Sequence, residues 1–416
     1  MSALTVKKLN GYDKTVECMP DKSISIRSVL FNAYAVGEAT VKNLLLSDDV
    51  LSAVDCARRL GAQIELDGTT AHIKGAPFRG CELDCGNSGT TARLLIGLLS
   101  GLNGVYKIDG DASLRSRPML RVIEPLRKMG AEIYDTDGKL PVKIVGGALS
   151  GMEYDMPVAS AQVKSALILA GLNAGAPVKI NEPVRSRDHT ENMLRVMNCG
   201  LKRSGDSIAV APSVIYSHDF TVPGDISSAA YPICLALCVE GGRCVVKNVG
   251  INPTRTGIID LLRSCGAKIE YKNIVQSAEP TADILVEYGA LKPFVIDGAL
   301  VPRLVDEIPV LCALACFIHG TSVVKGAREL RVKETDRVIS TVNALRALGA
   351  DITPTDDGMI INGGKKLKFG VVDPMLDHRI AMTAAVAGAA AEGVEIIDPE
   401  CAAVSYPDFY SEVIGV

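Results

Sequence analysis

The sequence predicts an α/β protein of two lobes, each built from three copies of one strand–helix–strand–helix–strand unit. Two observations carry the prediction: a short motif at near-constant spacing, and an apolar, small-residue-rich helix that recurs once per interval. The motif is Gly-Ala-x-Ile, at Gly61–Ile64, Gly130–Ile133, Gly266–Ile269 and Gly349–Ile352, with a degenerate copy at Cys199-Gly200-Leu201. The steps from Gly61 through Gly130, Gly200, Gly266 and Gly349 are 69, 70, 66 and 83 residues, so the fifth unit carries an insertion. Another 66 residues reach Gly415. Solenoid repeats are usually shorter than this, so small α/β modules grouped around shared cores fit better.

Each motif glycine closes a helical pattern: 51–60, 120–129, 193–198, 258–265, 338–348 and 409–414. Glycine just past a helix accepts the left-handed cap conformation, and the following x-Ile opens a strand. Each unit also has an earlier, more buried helix rich in small residues, over 25–36, 90–99, 163–172, 227–239, 307–317 and 380–391. Apolar runs between glycines supply the strands. The lobes are expected to comprise residues 20–223 and residues 1–19 with 224–416. The stretch before Pro20 reads as a strand returned to the second lobe.

Composition narrows the function. A chain of 416 residues is too long for one ordinary core. Its 48% hydrophobic and 22% charged residues are those of a folded globular protein. Lys and Arg number 44 against 48 Asp and Glu, which argues against a nucleic-acid partner. No apolar run is long enough for a membrane span, and the amino-terminal residues resemble neither a signal nor a transit peptide. The 12 Cys therefore read as reduced cytoplasmic thiols. The absence of Trp leaves few stacking surfaces, so a small polar ligand is expected.

The residues opening the buried helices carry the chemistry. They are Asp21-Lys22-Ser23, Gly86-Asn87-Ser88-Gly89, Ser160-Ala161-Gln162, Gly224-Asp225, Asp306-Glu307 and Asp377-His378-Arg379. Ser, Asn and Asp here are ordinary N-caps, yet helix N-termini also favour anions, and Lys22, Arg27, Arg93, Arg117, Arg187, Lys333, Arg337 and Arg379 lie close by in sequence. The run Arg331–Arg337 (RVKETDR) alternates charges with little apolar content. It can be a solvated helix face, or a site in which cations hold an anion while a carboxylate moves a proton.

With these motifs in order, the chain resembles the 5-enolpyruvylshikimate-3-phosphate synthase family over essentially its full length. The carrying residues are Asp21-Lys22-Ser23 with Arg27, Gly86–Arg93 (GNSGTTAR), Arg117-Pro118-Met119, Ser160–Lys164, Arg331–Arg337 and Asp377-His378-Arg379. The resemblance implies the two-lobed enolpyruvyl transferase fold, each lobe three βαβαββ repeats with buried parallel helices. It implies transfer of the enolpyruvyl group of phosphoenolpyruvate to the 5-hydroxyl of shikimate 3-phosphate, with release of phosphate through a tetrahedral intermediate. By the same resemblance Lys22, Asp306, Glu334 and His378 are catalytic. Lys22, Ser23, Arg27, Ser160, Ala161, Gln162, Arg187, Asp306 and Lys333 would hold shikimate 3-phosphate. Lys22, Gly89, Arg117, Gln162, Arg337 and Arg379 would hold phosphoenolpyruvate. No metal or cofactor is implied, a cytoplasmic monomer is expected, and ligands drawn from both halves imply lobes that close on substrate.

Ala161, Glu329 and Val404 depart from the better-known branch and resemble the family's second class, which includes glyphosate-tolerant members. Gly89 is retained where one tolerant form has Ala. The rival readings are the related transferase acting on UDP-N-acetylglucosamine, which lacks RVKETDR, and a non-catalytic binding protein of the same repeats. The pairs Cys81/Cys85, Cys234/Cys238 and Cys312/Cys316 lack nearby His and read as buried thiols, not zinc ligands. His72, His218 and His319 read as structural.

Overall fold

A left-handed residue ends all six helical patterns at which the repeat predicts a break, the last of them at Gly415. In the computed structural model, which describes residues 2–416, Gly61 closes the helix Asp48–Leu60 at φ +124°, and Gly130, Gly266 and Gly349 lie between +85° and +100°. The degenerate third copy solves the same problem differently. There Asn198, at φ +65°, turns the chain after His189–Val196, and Gly200 keeps an ordinary conformation. Asn enters this region more readily than other side chains, so the break survives without the motif.

Two units are described separately, Pro20–Val222 and Met1–Met19 with Pro223–Val416. In the first, three four-stranded sheets share one order. A parallel edge strand is followed by an antiparallel hairpin, as in Glu82–Asp84, Gly104–Asp109, Lys139–Gly146 and Glu132–Thr136. The edge strand of the first sheet comes from the far end of the unit, where Phe220–Thr221 pairs with Val41 and Lys42.

The second unit repeats the pattern and borrows twice from the amino terminus. Asp13–Glu17 pairs parallel with Arg243–Gly250, and Ala3–Val6 pairs antiparallel with Val394–Ile397. The stretch before Pro20 is therefore two strands in two sheets, not one. The last sheet has three strands, and the final helical pattern is a single π-helical turn, Tyr410–Ile414.

Six buried helices, α1 to α6, are Lys22–Tyr34, Gly89–Ser100, Ala161–Gly171, Ile226–Cys238, Ile308–Phe317 and His378–Ala390. Each is buried on nearly every face, and all but α1, which also buries Ser25, Arg27, Ser28 and Asn32, are largely apolar there. Within α2, Gly97 lies so close to α3 that an added Cβ would stand 2.3 Å from the Ala166 carbonyl oxygen. Five of the six begin with a side-chain cap. Asp21, Ser88, Ser160, Asp225 and Asp377 each accept from a backbone N–H in the first turn. The exception, α5, follows the half-buried Asp306 and the buried Glu307.

Candidate active site

In the unit Pro20–Val222 the helix openings gather cations. Lys22, the first residue of α1, donates to Asp49 at 2.9 Å. Arg27, one turn on and 4% exposed, donates through Nε to the Thr190 hydroxyl at 2.8 Å and through Nη1 to the Ser23 carbonyl at 3.0 Å. Its Nη2 reaches Ser165 at 3.3 Å. Arg93 of α2 donates to Gln162 Oε1 at 2.8 Å, and Arg121 reaches the same oxygen at 3.4 Å. These bonds tie the openings of α2 and α3 together. Arg117 donates to Asn87 Oδ1 at 2.5 Å, and an added Cβ on Gly89 would lie 3.4 Å from its guanidinium. Lys22, Ser23, Ser160, Ala161, Gln162 and Arg117 are all half-buried, within reach of a small ligand. Arg187 is half-buried on the loop before helix His189–Val196.

The second unit gathers charges of both signs. Arg337, 1% exposed, places Nε 2.9 Å and Nη2 3.2 Å from the two oxygens of Asp377, which is fully buried. Its Nη2 also lies 2.6 Å from Glu334. The Asp306 carboxylate stands 3.5 Å from Arg337, 3.8 Å from Lys333 and 4.0 Å from Arg379. Arg379 donates to the Asp306 carbonyl at 3.3 Å, and Lys333 donates to Glu329 at 3.0 Å. His378 is buried at the first position of α6. Behind them Arg255 holds Asp225 at 2.9 Å and Ser227 at 2.8 Å, and Ser227 donates to Glu307.

The electrostatics follow from this pairing. Burial pushes the Asp377 carboxyl up, but the charge of Arg337, helped by His378, outweighs it and holds the carboxyl below the usual range. Burial works against the Arg337 charge, yet Asp377 and Glu334 more than offset it, and its proton is held more tightly than usual. Burial raises the neighbouring Tyr231 phenol. One unit thus offers cations to an anion, and the other sets carboxylates among cations, where proton transfer can be coupled to charge stabilisation.

Asp49 and Thr190, outside every motif, and the motif residues Asn87, Arg93 and Asp377 have structural parts that their sequence positions do not announce. Asp377 reads as an N-cap and is one, accepting from the Arg379 N–H, while the same carboxylate grips Arg337. The cysteines are free thiols, and burial pushes Cys316 up to about 12. Among the described residues no helix is long and apolar enough to cross a membrane.

Comparison with known proteins places this fold among the enolpyruvyl transferases. EPSP synthase from Acinetobacter baumannii superposes with a TM-score of 0.86 at 39% identity, covering 98% of this chain and 96% of that one. The enolpyruvyl transferase NikO from Streptomyces tendae shares the fold, with a TM-score of 0.79 at 17% identity over 99% of this chain and 96% of that one. A family model described as EPSP synthase (3-phosphoshikimate 1-carboxyvinyltransferase) matches residues 6–413. The 3-phosphoshikimate 1-carboxyvinyltransferase of Desulforudis audaxviator is 49% identical, covering 94% of this chain and 93% of that protein. That of Shouchella clausii is 45% identical over 98% of each. The chain belongs to the EPSP synthase family. It is a transferase of the shikimate pathway, on the route to the aromatic amino acids.

Proposed function

We propose that the chain carries out enolpyruvyl transfer by addition and elimination, with the residues of its two units in different roles. The 5-hydroxyl oxygen of shikimate 3-phosphate bonds to C2 of phosphoenolpyruvate, losing its proton to a protein base, while C3 takes up a proton and becomes a methyl group. The C2–O bond to phosphate then breaks, the methyl gives back a proton, and the double bond re-forms. No electrons enter or leave.

The observation that carries this reading is Asp306. Its carboxylate lies within 4.0 Å of Lys333, Arg337 and Arg379, which sets an acceptor for the reacting hydroxyl beside cations suited to an anionic substrate. We assign Asp306 to the reacting hydroxyls, Lys333 and Glu334 to the acid and base work, and Lys22 and His378 to the neighbourhood of the transferring group. Lys22, Gly89, Arg117, Gln162, Arg337 and Arg379 are assigned to phosphoenolpyruvate. Ser23 and Arg27 take the shikimate carboxylate, and Ser160, Ala161, Gln162 and Arg187 take its phosphate and ring. Shikimate 3-phosphate is thus held mainly by the lobe 20–223. Residues 1–19 and 224–416 form the lobe that supplies the acid and base groups. The protein is assigned to the cytoplasm as a monomer.

The test is phosphate release from phosphoenolpyruvate. Release should require shikimate 3-phosphate, and release driven by UDP-N-acetylglucosamine would overturn the reading. Silence with both acceptors would favour a binding protein.

A further inference from the structure

Beneath the opening of α3 lies a group of four charges that no step above uses. Lys164 is fully buried, and its ammonium stands 3.1 Å from Glu182 and 2.8 Å from Glu191, both nearly without exposure. Arg203, from the hairpin that follows, reaches the same two carboxylates at 3.1 Å each. Two cations meet two anions, so the group is neutral as a whole. Removing any one partner would leave a buried charge unpaired, which is strongly destabilising, so the four must stay together.

The geometry shows what they hold. Glu182 follows the strand Val178–Asn181, and Glu191 lies in the first turn of helix His189–Val196. Between them runs the loop that carries Arg187. Lys164 donates to the Ser186 carbonyl at 3.3 Å, and Ser186 donates its N–H to Glu182 at 3.1 Å and its hydroxyl to the same oxygen. The residue beside Arg187 is thus gripped on both its donor and acceptor sides. Next along α3, Ser165 pairs with Thr190 at 2.7 Å, and Thr190 accepts from Arg27. Consecutive residues of α3 therefore fix the base of the Arg187 loop and the helix behind Arg27.

We propose that Lys164, Glu182, Glu191 and Arg203, acting through Ser186, form a positioning lock that sets Arg187 against the opening of α3 and so determines affinity for the phosphate group of shikimate 3-phosphate. The lock rests on the assignment of Arg187 to that phosphate. None of the four need touch the ligand. Their cost is met by pairing, and their effect is to spare the loop the entropy of being ordered when ligand arrives.

Lys164→Met is the direct variant, but it leaves two buried carboxylates with one cation and can fail to fold. Ser186→Ala removes one hydroxyl and leaves the four charges in place. Calorimetric binding of shikimate 3-phosphate and of unphosphorylated shikimate is measured for the full chain, for Ser186→Ala, for Arg187→Ala and for the double variant. Ser186→Ala is expected to weaken shikimate 3-phosphate about tenfold, the scale of one charge-assisted hydrogen bond's geometry, and to leave shikimate and the KM for phosphoenolpyruvate unchanged. In the Arg187→Ala background it should have no further effect. An equal loss for both ligands, or a full loss added to that of Arg187→Ala, would reduce the group to a stability element and overturn the proposal. No loss in Ser186→Ala, with a large one in Arg187→Ala, would do the same. If Arg187→Ala itself leaves shikimate 3-phosphate binding intact, the phosphate assignment fails and takes the lock with it.

Discussion

Arg337 and Asp377, forty residues apart in the chain, form a two-pronged ion pair at 2.9 and 3.2 Å with both side chains sealed from solvent. The planar guanidinium can meet two carboxylate oxygens at once, which a single ammonium cannot. Arg337→Lys should therefore lower kcat/KM for phosphoenolpyruvate by two or more orders of magnitude, on the scale of misplaced catalytic groups. Arg337→Ala should cost about 3–5 kcal/mol as well, because it strands Asp377. Steady-state kinetics and urea unfolding separate the two effects. A fully active Arg337→Lys enzyme would show that the fork is dispensable.

Acid should find the same pair. The Asp377 carboxyl is held below its ordinary range in the folded protein, so the stability it contributes is complete above the unfolded value of about 3.9. That contribution is lost as pH falls through the lower, folded value. Urea unfolding between pH 7 and pH 3 should show a steep decline below about pH 4. Asp377→Asn should start lower and decline less over that interval. Parallel curves for the two proteins would count against the assignment.

Gly89 sits where a methyl group would stand 2.9 Å from one Arg93 nitrogen and 3.4 Å from an Arg117 nitrogen. Both are ends of flexible side chains, so Gly89→Ala should still fold, at a cost of about 1 kcal/mol as the buried Arg93 shifts. The displaced guanidinium groups should raise the KM for phosphoenolpyruvate about tenfold, with that for shikimate 3-phosphate nearly constant. Equal changes in both constants would contradict the local reading.

Lys22 answers to Asp49, whose second oxygen is buried and makes no hydrogen bond among the described residues. Lys22→Ala should abolish most turnover and also lower stability by about 1–3 kcal/mol, since Asp49 loses its partner. Adding Asp49→Asn should return the melting temperature and leave activity where it was. Recovery of both would make Lys22 a structural residue only.

What the sequence discloses depends on how far apart the partners lie. Breaks after the outer helices are legible because a local demand, a left-handed residue, selects glycine at Gly61 and Gly130. Even so, Asn198 meets it in the third unit, two residues before Gly200, where the spacing places the motif. The buried helices appear within a few residues of their limits because five of their caps are Asp or Ser side chains bonded to the next turn. Pairings across the fold leave no such trace. Nothing near Lys22 points to Asp49, and nothing in Lys164 points to Glu182 and Glu191, since those contacts exist only once separate elements pack. The destination of the amino terminus is similarly hidden, because a four-residue strand such as Ala3–Val6 specifies its face but not its neighbour.

That strand has a consequence for the order in which the chain matures on the ribosome. Every sheet of the unit Pro20–Val222 draws its strands from within those residues, so synthesis to Val222 delivers a complete set. The two strands before Pro20 are in a different position. Asp13–Glu17 waits for Arg243–Gly250, and Ala3–Val6 waits for Val394–Ile397, made far later. Closing so long a loop is slow more than it is costly. Until those segments leave the ribosome the two early strands have no sheet to join, and they are among the slowest parts of the fold to find their place.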